Sequence, residues 1–314
     1  ELEQYFQTCF DKYDLARITQ FNTEVSAMTF DGSSNLWSIQ SMNNGSEVSE
    51  EFNLVISCVG QLNQPKIPEI NGLELFGGNI FHSARWPKDD QITGQKVAVI
   101  GSGASAFQIV PSIADQCDEL TVFQRSAPWM FPNPDYHRDV EDGKKWLLEN
   151  LPGYSRWYRF LLFWPGSDQL LDSLFIDPEW QGGETSINES NDQMRQIFTD
   201  AMLGQLQDKS LIPKVIPNYP PFGKRMLQDN GAWLQSLQKD NVRIFTDAIK
   251  ELTHGGILSN DELHEFDTII LATGFKAQEF FTPICINGGD GFFHDQYGDS
   301  CLLYTSDAAD ELRS

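Results

Sequence analysis

A short glycine-rich turn carries the first chemical signal in this 314-residue sequence. Residues 101–106 (GSGASA) read G-x-G-x-x-A and stand between the apolar run 96–100 and a segment that begins at Phe107. A β-branched run is typical of a buried parallel strand, and a glycine turn after it lets the backbone N–H groups that open a helix approach a phosphate. The pattern predicts a dinucleotide pyrophosphate site, with an ordinary glycine turn of an α/β protein as the alternative. The expected contacts are Gly101, Ser102, Gly103, Ala104, Ser105, Ala106 and Gln108.

The next apolar run indicates which dinucleotide would bind. Residues 120–123 (LTVF) are followed by Gln124, Arg125 and Ser126, about twenty residues beyond the glycines. Sites for NAD usually place Asp or Glu here to bind the ribose 2′-hydroxyl, whereas Arg accommodates a 2′-phosphate. Arg125 can bind phosphate through two parallel hydrogen bonds, and Ser126 offers a hydroxyl donor. The sequence therefore favours NADPH, with an exposed loop arginine as the alternative.

A third motif precedes the first candidate strand. Residues 76–87 (FGGNIFHSARWP) read F-x-G-x-x-x-H-x-x-x-W-P. The pattern resembles the fingerprint of type I Baeyer–Villiger monooxygenases, flavoenzymes that insert oxygen beside a ketone carbonyl. The sister flavin-containing monooxygenases usually carry another aromatic residue where this chain has Trp86 and Pro87. The resemblance implies that His82 orients a linker between domains, and a structural histidine is the alternative.

The resemblance covers nearly all of residues 1–300 and is closest to the 4-hydroxyacetophenone monooxygenase branch. The segments that suggest this branch lie at 157–164, 177–180, 191–192 and 229–233. In the family, a loop like residues 216–225 (IPNYPPFGKR) returns from a helical insertion to the nicotinamide pocket. Lys224 would then assist the 2′-phosphate, and Arg225 would face the flavin. An arginine suits that position because it stays charged and can stabilise a peroxide anion.

The resemblance adds two further cofactor contacts. The predicted strand that begins at Phe266 leads into A-T-G, the family's hinge between nucleotide and flavin domains, which includes Thr273 and Gly274. Residues 52–60 (FNLVISCVG) look like an earlier analogue of that strand in the flavin half. The backbone of Val25 would contact the adenine of FAD.

The resemblance implies an NADPH- and FAD-dependent monooxygenase that converts aryl ketones to esters or lactones through a C4a-peroxyflavin. Arg225 and His82 are the expected catalytic residues, and no metal is expected. A flavin-dependent N- or S-oxygenase is one alternative. An inactive NADPH-binding fragment is the other.

The expected fold class is α/β, a flavoprotein fragment with two Rossmann-like dinucleotide-binding domains and a helical insertion. Turn signals at Asp31-Gly32 and Asn44-Gly45 predict an antiparallel meander between residues 21 and 52. The expected domains are a partial FAD-binding domain at 1–86, the fingerprint linker at 87–91, an NADPH-binding domain at 92–130 and 218–274, a helical insertion at 131–217, and a return to the FAD domain at 275–300.

Both ends of the sequence depart from the family pattern. The family begins with its own strand and glycine turn for FAD, which are not found before the helix expected from Leu2 to Tyr13. We therefore expect an internal fragment that is inactive by itself. Residues 300–311 (SCLLYTSDAADE) resemble the in-frame translation of a transposon-type sequencing adapter. We leave 301–314 out of the fold prediction as a sequencing artefact.

Composition narrows the partners and the location. The sequence has 22 basic and 45 acidic residues, and a net charge of −23 disfavours nucleic acid and anionic membranes. The longest apolar run, 160–164, is too short to span a bilayer. Five cysteines show neither a C-x-x-C pair nor metal-ligand spacing, which is typical of a reducing cytosol. We therefore expect a cytoplasmic enzyme whose partners are a small ketone and dioxygen.

Overall fold

The chain divides into two compact units. The computed structural model describes residues 2–88, 92–277, 279, 281–288 and 291–292. One unit comprises Glu1–Lys66 with Phe275–Ser314, and the other comprises Ile67–Gly274. The adapter-like residues 301–314 lie outside the described residues.

The described part of the chain contains seven α-helices and fifteen strands. The helices are α1 (Leu2–Lys12), α2 (Ala104–Ile113), α3 (Asp142–Asn150), α4 (Tyr154–Phe163), α5 (Glu189–Leu203), α6 (Ile212–Val215) and α7 (Ala232–Ser236). The strands are β1 (Thr23–Asp31), β2 (Leu36–Asn43), β3 (Ser46–Phe52), β4 (Asn79–His82), β5 (Lys96–Ile100), β6 (Glu119–Phe123), β7 (Met130–Pro132), β8 (Leu227–Asp229), β9 (Val242–Phe245), β10 (Ile249–Thr253), β11 (Gly256–Ser259), β12 (Glu262–Glu265), β13 (Thr268–Leu271), β14 (Cys285–Gly288) and β15 (Gly291–Phe292). Short 3-10 helices lie at Leu15–Ile18, Leu73–Leu75, Ser83–Arg85, Trp164–Gly166, Asp168–Leu174 and Lys209–Leu211.

The first unit is built on a five-stranded sheet in the order β15-β14-β1-β2-β3. β1, β2 and β3 form the predicted antiparallel meander, and β14 runs parallel to β1. Asn44 and Gly45 make the tight turn between β2 and β3, with φ angles of 47° and 83°. A two-residue hairpin requires this left-handed pair, so the Asn-Gly signal predicted the turn correctly. The Asp31 carboxylate closes the other turn by accepting hydrogen bonds from Ser33 and Ser34.

Residues 54–60 do not form the strand that the sequence predicts. β3 ends at Phe52, and the residues after it lack regular structure, with Leu54 73% and Ile56 76% exposed. A strand needs a neighbour to complete its ladder of hydrogen bonds. No described strand pairs with this segment, which explains the difference.

The second unit is centred on a five-stranded parallel sheet in the order β4-β13-β5-β6-β9. β5 coincides with the predicted strand 96–100, and α2 connects it to β6. β13 lies on the other side of β5, so the order of the strands reverses there. Open parallel sheets of this kind bind ligands at the carboxyl ends of the strands beside such a reversal.

The parallel sheet is buried on both faces. Val97 and Val99 of β5 belong to the apolar core that includes α2 and Trp233. Ala98 and Ile100 belong to the core on the opposite side, which includes the antiparallel sheet β10-β11-β12. Because side chains alternate along a strand, a strand that is covered on both faces must be apolar throughout. This requirement explains the uninterrupted run in β5.

The boundary between the units differs from the predicted limit of the flavin domain at residue 86. β4 contains fingerprint residues, and it pairs in parallel with β13 through Phe81 and Ile270. Residues 67–86 therefore belong to the unit that holds the glycine turn. A four-residue strand is too short for its hydropathy pattern to reveal a partner so far along the chain.

Residues 142–215 are mostly helical and hold α3, α4, α5 and α6. α4 leaves several aromatic side chains exposed, among them Trp157 at 56% and Phe163 at 72%. None of the helices in the described part of the chain combines the length and hydropathy needed to cross a bilayer.

Candidate nucleotide-binding site

Four adjacent strands of the second unit end at one edge of the sheet. Backbone hydrogen bonds join the first residue after one strand to the last residue of its neighbour. Gly101 N donates to Phe123 O (2.8 Å), and Ala272 N donates to Ile100 O (2.9 Å). The strands are parallel, so the segments that follow them meet at the same edge. Those segments hold His82 at the end of β4, Gly101 after β5, Gln124, Arg125 and Ser126 after β6, and Thr273 and Gly274 after β13.

Gly101 is required by the packing of the protein. Its φ angle is +117°, which residues with a side chain rarely adopt. A Cβ atom at this position would lie 2.4 Å from the carbonyl oxygen of Ala272. The first glycine of the turn therefore allows β5 and the end of β13 to approach each other.

Gly103 has a different environment. Its φ angle of −76° is available to any residue, and a Cβ atom there would meet no atom within 4 Å. Gly103 precedes α2, whose N-terminus has no side-chain cap in the described structure. The free N–H groups and the positive end of the helix dipole suit a phosphate oxygen. Packing within the protein does not require a glycine here, whereas a pyrophosphate close to the backbone would.

Hydrogen bonds link the glycine turn to the loop after β6 and to Lys224. The Ser102 hydroxyl donates to the carbonyl oxygen of Ser126 at 2.9 Å. Lys224 Nζ donates to Ser126 Oγ at 2.8 Å, although the two residues are 98 positions apart. The ammonium also lies over the ring of Tyr219, 4.5 Å from its centroid. The structure thus brings together three predicted cofactor-binding residues.

Two arginines flank this arrangement in the sequence. Arg125 directly precedes Ser126, Arg225 directly follows Lys224, and both arginine side chains are exposed. Neither guanidinium has a hydrogen-bond or ion-pair partner among the described residues. Since the chain has a net charge of −23, unpaired cations here form a local basic surface within an acidic protein.

His82 connects β4 to the residues after β13. Its side chain is 3% exposed, and Nδ1 accepts a hydrogen bond from Ala84 N at 3.1 Å. The proton is therefore on Nε2, which donates to the carbonyl oxygen of Gly274 at 2.9 Å. Burial lowers the pKa of His82, and the hydrogen bond to Gly274 opposes that change. A neutral histidine with both nitrogens engaged is suited to positioning.

The loop that carries Lys224 is attached to the residues after β6. Trp129 Nε1 donates to the carbonyl oxygen of Tyr219 at 2.7 Å, and the Tyr219 hydroxyl donates to Ala127 O at 2.9 Å. Leu227 N donates to Trp129 O at 2.9 Å, just before β7 and β8 pair. The sequence analysis gave Tyr219 no role, because no sequence pattern reveals its contact with an ammonium group.

The same loop is strained and anchored from α5. Phe222 has a φ angle of +68°, which is unusual for a bulky residue, and its ring packs edge-on against Phe198. Asn191 is fully buried, and its Nδ2 donates to Pro221 O at 3.2 Å and to Ser173 O at 3.0 Å. This buried amide holds the loop immediately before its strained residue.

Two predicted cofactor contacts lie outside the strand ends. Val25 is on β1 of the first unit, where it pairs with Ser41 beside a β-bulge. Gln108 is exposed on α2, and its Nε2 donates to the carbonyl oxygen of Ala104 at 3.0 Å. Contact of either residue with a cofactor stays a prediction.

Residues 1–146 match the model of a family described as flavin-binding monooxygenase-like. Over these residues the chain is similar to this flavin monooxygenase family. An uncharacterized monooxygenase of Sinorhizobium fredii, y4iD, is 37% identical over 294 residues, or 93% of this chain and 44% of the relative. A Baeyer–Villiger monooxygenase of Pseudomonas aeruginosa is 30% identical over 292 residues, or 93% of this chain and 52% of the relative.

The structure of OTEMO in complex with FAD and NADP resembles this chain with a TM-score of 0.76 at 26% identity. The match covers 95% of this chain and 61% of the OTEMO chain. This chain spans about half the length of the curated relatives it matches. These findings confirm the predicted family and fold class, while the 4-hydroxyacetophenone branch stays a prediction.

Proposed function

We propose that this flavin monooxygenase uses NADPH and FAD to convert aryl ketones to esters or lactones. One oxygen atom of dioxygen enters the product beside the carbonyl carbon, and the other leaves as water as NADPH is oxidised to NADP⁺. The proposal depends most on the contact between Lys224 and Ser126 beside the glycine turn, with Arg125 adjacent and unpaired among the described residues. A basic cluster at the end of β6, the second strand of the dinucleotide-binding unit, suits a 2′-phosphate.

The described residues of the second unit fit NADPH. Residues 101–106 would hold the pyrophosphate, because Gly103 is open to the backbone approach and α2 begins there. Arg125, Ser126 and Lys224 would hold the 2′-phosphate through charge-assisted hydrogen bonds. When bound, NADPH supplies a hydride. The residues of this edge bind and orient the dinucleotide, and His82 fixes the backbone at Gly274.

FAD is proposed from the family and from OTEMO, whose structure holds FAD and NADP. The described residues of the first unit form an antiparallel meander with a parallel strand, β14, beside it. They do not form a strand, glycine turn and helix like those at 96–113. The described residues of this unit alone therefore do not make a dinucleotide cradle for FAD.

Arg225 is the residue proposed to stabilise negative charge on the reacting oxygen atoms. Its guanidinium stays protonated at any working pH, and it has no competing carboxylate among the described residues. Stabilisation of developing oxyanion charge by a fixed cation is often the largest contribution to such a reaction. The partners proposed for this edge are small molecules, the ketone and dioxygen. A cytoplasmic location stays a prediction of the cysteine pattern.

The test is product analysis on the protein expressed from the reading frame that contains this chain. The protein is supplied with FAD, NADPH, ¹⁸O₂ and an aryl methyl ketone, and the products are examined by mass spectrometry. We expect an ester that carries one ¹⁸O atom. If only sulfides or amines gain oxygen, the protein is a heteroatom oxygenase and the proposal is wrong.

A second arm tests the role of Arg225. Arg225→Ala should abolish ester formation while NADPH still bleaches the flavin absorbance, because hydride transfer does not need the oxyanion stabiliser. Arg138→Ala is the matched control, since Arg138 is an exposed arginine that pairs with Asp135 and Glu141 outside this edge. Ester formation by Arg225→Ala at the rate of the control would contradict the assignment.

A further inference from the structure

We propose that Tyr219 is a positioning residue that holds the Lys224 ammonium at the 2′-phosphate site and so increases the preference for NADP⁺ over NAD⁺. The inference rests on the proposed function, because it assumes that Ser126 and Lys224 bind the phosphate. Tyr219 would act through Lys224, without contacting the phosphate itself.

Two contacts fix an otherwise flexible side chain. Lys224 is exposed, and a lysine ammonium at the end of a four-carbon stem samples many positions. In this structure Nζ donates to Ser126 Oγ at 2.8 Å and lies 4.5 Å from the centroid of the Tyr219 ring. A cation over the face of an aromatic ring is attracted by the negative charge density of that face. The ring and the hydroxyl together hold the ammonium beside the end of β6.

The ring is itself fixed to the loop that carries the other phosphate ligands. The Tyr219 hydroxyl donates to Ala127 O, and the Tyr219 carbonyl accepts from Trp129 Nε1. The Tyr219 and Trp129 rings meet edge to face, with 6.5 Å between their centroids. Because Ala127 follows Arg125 and Ser126 directly, the Tyr219 ring is anchored to the same segment that carries these two phosphate ligands.

The groups that hold Lys224 are uncharged, which matters for the binding of an anionic ligand. Other lysines of this acidic chain pair with carboxylates, as Lys239 does with Asp115 and Lys250 with Asp261. Lys224 has no carboxylate partner among the described residues, and it is held by a ring and a hydroxyl that carry no charge. Burial raises the pKa of Tyr219, so its phenol stays neutral. The ammonium therefore keeps its full charge for the phosphate.

The chain contains a matched control for this contact. Lys144 lies over the ring of Tyr158 at 4.3 Å in the helical segment. Tyr158→Leu removes a lysine–ring contact of similar distance without touching the edge described above. Tyr219→Phe keeps the ring and removes only the hydroxyl, so it serves as the conservative variant.

The experiment measures the Kd of NADP⁺ and of NAD⁺ by isothermal titration calorimetry on the 314-residue chain. Tyr219→Leu should weaken NADP⁺ about fivefold and leave NAD⁺ within about twofold, as expected from the loss of an exposed cation–π contact. Tyr219→Phe and Tyr158→Leu should keep the selectivity of the wild type. In a Lys224→Met background, Tyr219→Leu should have no further effect on NADP⁺, because the two residues act as a unit.

The outcomes separate the two proposals. If the wild type shows no preference for NADP⁺, the proposed 2′-phosphate site is wrong. If the wild type prefers NADP⁺ and Lys224→Met reduces that preference while Tyr219→Leu does not, the site stands and the role of Tyr219 is wrong. If Tyr219→Leu weakens the binding of NADP⁺ and NAD⁺ equally, Tyr219 is a purely structural residue and its proposed role is wrong. If Tyr219→Leu fails to fold, Tyr219→Phe is the variant that decides, with Lys224→Met as the reference. A loss of selectivity in Tyr219→Phe would then contradict the role assigned to the ring.

Discussion

The Nε2 atom of His82 lies 2.9 Å from the carbonyl oxygen of Gly274, a residue 192 positions later in the chain. This hydrogen bond joins the fingerprint motif to the A-T-G segment after β13. The Nδ1 atom of the same ring accepts from Ala84 N, so the neutral tautomer satisfies both sides of the ring. Protonation at Nδ1 would remove the acceptor for Ala84 N, whereas Nε2 would keep its hydrogen bond to Gly274.

Stability should fall in mild acid because of His82. Burial lowers its pKa in the folded chain, so the unfolded chain binds the proton more tightly. The stabilisation is fully present above the unfolded value of about 6.5 and is lost as the pH falls through the lower folded value. Urea unfolding at about pH 7.5 and 5.5 should show a loss in the wild type that is smaller in His82→Gln.

The control for this titration is His137→Gln, which removes an exposed histidine from the same unit. That variant should keep the pH dependence of the wild type. An identical decrease in His82→Gln and wild type would show that other groups cause the loss.

The two glycines of the turn should respond differently to alanine. Gly101→Ala places a Cβ atom 2.4 Å from Ala272 O at a φ of +117°. We expect a loss of about 2 kcal/mol or more in the free energy of unfolding, from backbone strain and overpacking. Gly103→Ala meets no atom within 4 Å and should stay within about 0.5 kcal/mol of the wild type.

The Kd for NADP⁺ is the second quantity in which the glycine variants should differ from the wild type. Gly103→Ala should raise the Kd for NADP⁺ although the protein is as stable as the wild type, because the methyl group would occupy the approach of the pyrophosphate. Titration calorimetry and urea unfolding on the two variants measure both quantities. Wild-type affinity in Gly103→Ala would mean that the dinucleotide binds elsewhere.

Arg125→Ala should weaken NADP⁺ much more than NAD⁺. A hydrogen bond to a charged group contributes about 1.5–3 kcal/mol, or roughly tenfold to a hundredfold in Kd, and only NADP⁺ has the 2′-phosphate. Arg243→Ala is the control, since Arg243 pairs with Glu119 at the start of β6, the opposite end from the basic cluster. Equal losses for both dinucleotides in Arg125→Ala would remove this arginine from the phosphate site.

Asn191→Ala should destabilise the loop that carries Lys224. The substitution leaves the carbonyls of Ser173 and Pro221 without their buried donor, at a cost of about 1–3 kcal/mol. Chemical unfolding measures the loss, and limited proteolysis should show earlier cleavage at residues 216–225. Asn188→Ala is a comparison in the same segment: it removes the donor to Asp172 and Phe175 and the cap that accepts from Asn191 N, but none of these hydrogen bonds reaches this loop.

Sequence reasoning was accurate where local pattern and tertiary structure agree. The apolar run 97–100 became the buried part of β5 because a strand covered on both faces must be apolar where it is buried. The Asn44-Gly45 turn formed since only such residues adopt its left-handed backbone readily. The structure places Lys224 and Ser126, both predicted to bind the 2′-phosphate, 2.8 Å apart, and their role in binding stays a prediction.

The errors have a common physical origin in pairing between distant segments. Residues 54–60 resemble a strand in composition, but no described strand lies beside them. β4 pairs with β13, which lies so far along the chain that local pattern could not indicate the pairing. The roles of Asn191 and Tyr219 depend on contacts with Pro221 and Lys224 that no spacing rule encodes.

The position of β13 between β4 and β5 has a consequence during synthesis on the ribosome. The backbone of Lys96 bonds to the side chain of Asp267, 171 residues later, at the start of the central strand. Every earlier strand of the sheet is therefore translated while the place of β13 is still vacant. Such long-range pairing is slow and exposes apolar strand edges to aggregation. A truncated chain that ends before β13 should expose the edges of β4 and β5 and aggregate more readily than a chain that includes this strand.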